Sequence, residues 1–127
     1  METAQKRKRI LVVDDSESIR ELIAIGLEMQ GYDVIRGVNG EDGYKRLQEN
    51  SDCSLVITDM NMPVMDGLSF LKKIRAESTN KFLPVLIITS EVQEAKRREA
   101  REAGATGWIT KPFANQQLIT VIKRLLN

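Results

Sequence analysis

The sequence predicts an α/β protein, an open doubly wound sheet of five parallel strands with five helices distributed over both faces. Three observations carry this. Short apolar runs alternate with segments of helical periodicity along the whole chain. Four of the five runs are continuously apolar, as strands buried on both faces should be. Each of those four also stops at a residue that handles charge, and in such sheets sites form outside the carboxyl ends of the strands.

The elements follow in order. Ile10, Leu11, Val12 and Val13 form the first run, which stops at Asp14 and Asp15. Ile19, Leu22, Ile23 and Leu27 then recur at helical spacing, with Arg20, Glu21 and Glu28 between them. Ser18 with Glu21 could form a capping box, and Ser16 is an equally good cap; Gly31 closes the helix. A weaker strand at 33–38 leads to the Asn39-Gly40 turn and a polar helix reaching Asn50. The strand at 55–58 stops at Asp59 and opens a long loop, 59–66, containing Pro63. Leu68, Leu71 and Ile74 mark one side of the third helix. The strand at 85–88 stops at Thr89 and Ser90, and a strongly charged helix is expected over 91–103. The last strand, 108–110, stops at Lys111-Pro112. In the closing helix Leu118, Val121, Ile122 and Leu125 should face inward, and Gln116, Gln117, Lys123 and Arg124 outward.

The totals narrow the function classes. A length of 127 residues suits one domain, 1–127, with no linker, repeat or low-complexity stretch. Net charge is +1, which offers no global field for nucleic acid. The basic run Lys6-Arg7-Lys8-Arg9 reads as part of a flexible, solvated lead-in, 1–8. Cys53 is the single cysteine, so an intrachain disulfide is excluded and a reducing compartment fits. There is no histidine, which removes a histidine base, a histidine ligand and a phosphohistidine from this chain. No apolar stretch is long enough to span a bilayer, and the basic start precedes only four apolar residues, unlike a signal peptide. A cytoplasmic protein without membrane or nucleic-acid partners is expected.

If the strand ends lie side by side, Asp14, Asp15, Asp59, Thr89 and Lys111 converge. Two carboxylates at ~4 Å repel by roughly 1 kcal/mol in water and about 4 at intermediate dielectric. A third worsens this unless a cation sits among them. Hard oxygen donors of this kind suit magnesium. Asp14 and Asp15 alone could equally be acids favouring a helix N-terminus. Asp59 is a candidate covalent phosphoryl acceptor, since carboxylates serve as such nucleophiles. Lys111 would neutralise phosphoryl oxygens, and Thr89 and Ser90 offer hydroxyl donors.

The Asp14-Asp15 pair, the loop DMNMPVMDG from Asp59, the Thr89-Ser90 pair and Lys111-Pro112-Phe113 together resemble a response-regulator receiver domain over the whole chain. Within that family the likeness is strongest to single-domain chemotaxis regulators. The resemblance implies a flavodoxin-like sheet in the order 2-1-3-4-5. It implies that Asp59 takes a phosphoryl group from a partner histidine kinase, and that Asp14, Asp15, Asp59 and the backbone carbonyl of Asn61 arrange magnesium, with manganese as a substitute. Lys111 would contact the acyl phosphate and the Thr89 hydroxyl would move to it. Trp108 stands where the family places a rotameric switch, usually Tyr or Phe; a fixed, buried Trp is the competing reading. Asn61 and Glu91 occupy places that tune the lifetime of the phosphoryl group. The Lys111-Pro112 bond is expected to be cis. The fourth helix, fifth strand and fifth helix would form the face that reports to a target protein, in chemotaxis the flagellar motor switch. No output domain is expected, the protein should be a monomer, and a separate phosphatase is a possible partner. A solvated helix with i,i+4 pairs would also explain the charge pattern of 91–103.

Other functions fit less well. A single-domain phosphorelay intermediate or a stress or cell-cycle regulator would share every one of these residues, as would a receiver that signals without phosphate. A magnesium-dependent phosphohydrolase with an aspartyl-phosphate intermediate would need a second, proton-exchanging acid where Asn61 stands. A nucleotide binder on the same architecture would need an N–H cradle after the first strand, where the acidic DDSES stands instead. The protein is therefore not expected to be an enzyme beyond accepting and slowly losing its own phosphoryl group.

Overall fold

The computed structural model describes residues 7–126, so most of the expected lead-in, 1–8, lies outside the described residues. The elements are β1 (Arg9–Val13), α1 (Glu17–Met29), β2 (Asp33–Gly37), α2 (Gly40–Glu49), β3 (Cys53–Thr58), α3 (Gly67–Ala76), a single 3-10 turn at Ser78–Asn80, β4 (Val85–Thr89), α4 (Glu94–Glu102), β5 (Gly107–Thr110) and α5 (Asn115–Leu126). All strand pairs are parallel, and the sheet order is β2-β1-β3-β4-β5.

Period-two alternation along the strands divides the core into two layers. Ile10, Val12, Leu55, Ile57, Leu86 and Ile88 pack with Ile23 and Leu27 of α1 and Leu118 and Ile122 of α5. Leu11, Val13, Val56, Val85 and Ile87 face the other way, against Leu47 of α2, Phe70, Leu71 and Ile74 of α3, and Ala100 of α4. The inward face of α5 is wider than the sequence suggested. Ile119 and Leu126 are buried beside Leu118 and Ile122, whereas Val121 and Leu125 are half-buried.

Local chemistry sets the boundaries. The Ser16 hydroxyl accepts from the Ile19 amide at 3.4 Å and caps α1, while Ser18 is exposed and its hydroxyl meets that of Ser16. Gly31, at φ +95°, ends that helix in the left-handed region. Asn39 caps α2 through the Asp42 amide, and Asp66 caps α3 through the Ser69 amide.

The fourth helix starts at Glu94 and not at 91. The Glu91 amide donates to Thr89 Oγ1 and the Gln93 amide donates to Glu91 Oε2, and these local bonds hold 91–93 as a turn. At the other end of α4, Arg75 donates twice to the Gly104 carbonyl and once to that of Asn80. The loop after α4 is thereby tied to the end of α3. Among the described residues no helix is long and apolar enough to cross a membrane.

Candidate functional site

The chain leaves β1 toward β2 on one side, while β3 continues to β4 on the other. A crevice therefore opens between the carboxyl ends of β1 and β3, where sites form in sheets of this type. The hydrogen-bond ladder runs one step past each strand. The Asp14 amide donates to the Gly37 carbonyl at 3.2 Å, and the Asp59 amide to the Val13 carbonyl at 3.0 Å. Both aspartates are thus fixed at their backbones before their side chains do anything.

Carboxylate oxygens of Asp14, Asp15 and Asp59 lie within 4.8 Å of one another. Asp14 is only 2% exposed and Asp59 8%, whereas Asp15 is exposed. Lys111 Nζ stands between the buried pair, 2.9 Å from Asp14 Oδ2 and 3.1 Å from Asp59 Oδ2. Its backbone amide bonds the Thr89 carbonyl at 2.9 Å, which sets the root of the side chain at the end of β5 and lets the long stem reach back across β4 to β3. Burial pulls the Lys111 ammonium down, but the hydrogen bonds it donates to Asp14 and Asp59 outweigh it and hold the group above its ordinary 10.5. It is a cation at any physiological pH.

Asp59 keeps its other oxygen, Oδ1, on the Met60 amide at 2.6 Å, and Asp14 Oδ1 accepts from the Ser16 amide at 2.9 Å. Arg20 Nη1 donates to the Asp14 carbonyl at 2.7 Å, bringing a second cation to the rim. Three carboxylates against Lys111 and Arg20 still leave an excess of negative charge. That donor set, hard oxygens and a partly open rim, fits a dication such as magnesium.

The remaining predicted residues are placed as follows. Thr89 is buried, and among the described residues its hydroxyl makes one hydrogen bond, accepting from Glu91 N at 3.3 Å. Glu91 is half-buried, Asn61 and Ser90 are exposed, and the Lys111-Pro112 bond is cis. Trp108 is not part of the acidic cluster. It packs half-buried against the core layer that faces α4, with Arg97 5.3 Å over its ring, and its buried Nε1 has no hydrogen-bond partner among the described residues.

Sequence reasoning missed Arg20, the Met60 amide and Gly67. Arg20 lies one helical turn after the Ser16 cap, a weak signal at best. A Cβ on Gly67 would stand 2.1 Å from the Asp59 carbonyl oxygen, so the glycine is what lets α3 begin against the backbone of Asp59. The Asp66-Gly67 pair was visible in the sequence, but its close approach to Asp59 was not.

Comparison with known proteins agrees with this geometry. Residues 10–123 match the response regulator receiver domain. The chemotaxis protein CheY1 of Helicobacter pylori is 40% identical over 111 residues, covering 87% of this chain and 90% of that protein. A CheY homolog of Campylobacter jejuni is 39% identical over 87% of this chain and 85% of its own length. Among solved structures, Vibrio cholerae chemotaxis protein CheY4 superposes with a TM-score of 0.90 at 37% identity, covering 95% of this chain and all of that one.

Proposed function

This chain belongs to the response regulator receiver domain family, and from that premise we propose that it is a stand-alone regulator phosphorylated on Asp59 by a partner histidine kinase. The observation that carries this is a buried carboxylate, Asp59, paired to Lys111 at 3.1 Å within a three-carboxylate cluster. A carboxylate oxygen of Asp59 attacks the phosphorus of a phosphohistidine. The O–P bond forms as the P–N bond breaks, and the departing imidazole takes up a proton. Since this chain has no histidine, the donor is another protein.

Lys111 already bridges Asp14 and Asp59, so its ammonium can follow charge onto a phosphoryl oxygen without leaving Asp14. Asp14, Asp15, Asp59 and the Asn61 carbonyl would hold magnesium, or manganese in its place. The bound ion supplies neutralisation of the phosphoryl oxygens. The buried Thr89 hydroxyl turns to the phosphoryl group, releasing the Glu91 amide and with it the turn that precedes α4. Asn61 and Glu91 flank the site and govern the approach of hydrolytic water. Trp108 and the face made by α4, β5 and α5 report the change to a target protein. The names of the relatives favour chemotaxis, hence the flagellar motor switch as target, with a phosphatase as a further partner. In this reading the protein is a cytoplasmic monomer of one domain and does not turn over external substrates.

The test is intact mass after incubation with magnesium and acetyl phosphate. Gain of one alkali-labile phosphoryl group is expected, absent from Asp59→Asn and from a magnesium-free control. Steady release of phosphate from a small ester over many turnovers would instead show a phosphohydrolase. No adduct, together with no response to beryllofluoride, would sink phosphorylation at Asp59.

A further inference from the structure

One face of this nearly neutral chain is net positive. α4, β5 and α5 carry six Lys and Arg against three Glu, whereas the whole chain has a net charge of +1. α4 buries only Ala100 among its residues, so its cationic side chains stand over the sheet edge. Between α4 and β5 opens a cavity of about 200 Å³ lined by Arg97, Arg101, Ala105, Thr106, Gly107 and Trp108.

Two guanidiniums border that cavity, and neither is well neutralised. Arg97 lies over the Trp108 ring at 5.3 Å and has no carboxylate partner among the described residues. Arg101 meets Glu94 only at 3.8 Å, with both side chains largely exposed, a geometry that contributes little. A guanidinium held near an indole by cation–π attraction can still donate in a bidentate manner to an incoming carboxylate. The volume suits an acidic side chain with its methylenes.

We propose that this cavity receives a Glu or Asp side chain from an acidic segment of the target protein, held between Arg97 and Arg101 against the Trp108 indole. The proposal rests on the reading of α4, β5 and α5 as the reporting face and names the chemistry of what docks there. A nucleic acid is disfavoured, because Glu94, Glu99 and Glu102 interleave the cations of α4 and would repel a closely spaced polyanion. An acidic segment whose carboxylates are spaced by uncharged residues can set one of them at Arg97 and meets less of that repulsion.

The experiment uses the full chain with magnesium and beryllofluoride at low ionic strength. The probes are a short capped peptide alternating glutamate with alanine, its glutamine counterpart, and an oligothymidylate of the same length. Binding is read from the fluorescence of Trp108, the single tryptophan, and from the NMR shifts of the Arg97 and Arg101 side chains. The glutamate peptide should give a saturable response. Binding should be roughly fivefold weaker in each of R97Q and R101Q, the upper end for an exposed ion pair. It should be weaker again for the glutamine peptide and should fall with salt. No saturable response, equal binding of the glutamine peptide, insensitivity to both substitutions, or tighter binding of oligothymidylate would each overturn the proposal. Phosphoryl uptake, read by mass, should be unchanged in R97Q and R101Q. A wild type that is phosphorylated but shows none of the peptide effects overturns this inference alone. One that binds the peptide through both arginines but takes no phosphoryl group overturns the Asp59 reading and leaves the cavity assigned.

Discussion

Asp14 gives one oxygen to the Ser16 amide and the other to Lys111, so both oxygens are oriented from within the protein and each keeps a lone pair for a cation. Asp59 is held by the Met60 amide and Lys111, two donors that, in the proposed phosphorylation, can transfer to phosphoryl oxygens as the carboxylate is consumed. The aspartates, Thr89 and Lys111 were legible in the sequence because each is the first residue of its kind past an apolar run. The donors that orient them were not legible, since Met60 and Ser16 act through backbone amides that any residue type supplies. Cys53 shows the same limit. The sequence offered a free thiol, and the structure adds that burial pushes that thiol above its ordinary 9.0. A raised thiol is neutral in the folded state, so its contribution to stability is present below the ordinary value and is lost as pH climbs through the raised one. Two outcomes follow. Iodoacetamide should modify native Cys53 at pH 8 at least about tenfold more slowly than the urea-unfolded chain. The stability difference between wild type and Cys53→Ala should also shrink as pH rises above 9. Modification at equal rates would show a thiol that is not shielded.

At the scale of elements, α1, α2 and α3 begin where their cap residues stand, and a hydroxyl, an amide or a carboxylate before a periodic run could be seen in the sequence. The start of α4 could not. Its first turn competes with bonds that Thr89 and Glu91 make to the local backbone, and Gln93 offers no side-chain cap. The start of α3 depends on more than its cap. Gly67 N donates to the Met60 carbonyl at 2.8 Å, and its Cα faces the Asp59 carbonyl where no Cβ fits. Gly67→Ala must push either α3 or the loop after Asp59 outward, because the obstructing atoms are backbone. A loss of about 3 kcal/mol or more in urea unfolding is expected, the range for severe overpacking. Phosphoryl uptake should fall with it, even in the fraction that remains folded. A variant as stable and as reactive as wild type would mean that the α3 entry is looser than the structure shows.

For the whole molecule, alternation of strands and helices was enough to give a two-layered α/β core, but no periodicity gives strand order. That came from the family resemblance, and the sheet realises it as β2-β1-β3-β4-β5. The consequence is that the cluster draws on the ends of β1, β3 and β5, which meet only when the sheet is complete. A cation that binds the assembled cluster and not the unfolded chain must therefore stabilise the whole domain. At a magnesium concentration one hundred times its Kd, unfolding should require about 2.7 kcal/mol more than without the ion. Asp15 isolates the effect, being the exposed member of the cluster. Asp15→Asn removes one repelling charge, worth roughly 1 kcal/mol at the dielectric of water, so the variant should be the more stable protein in chelated buffer. It also removes a ligand, so its gain from magnesium should be smaller and the order of the two proteins should reverse when the ion is added. Urea unfolding followed by circular dichroism, with sodium chloride matched for ionic strength, reads both effects. An equal gain in wild type and variant would place the cation elsewhere on the molecule. A gain reproduced by sodium chloride would reduce it to screening of the three carboxylates.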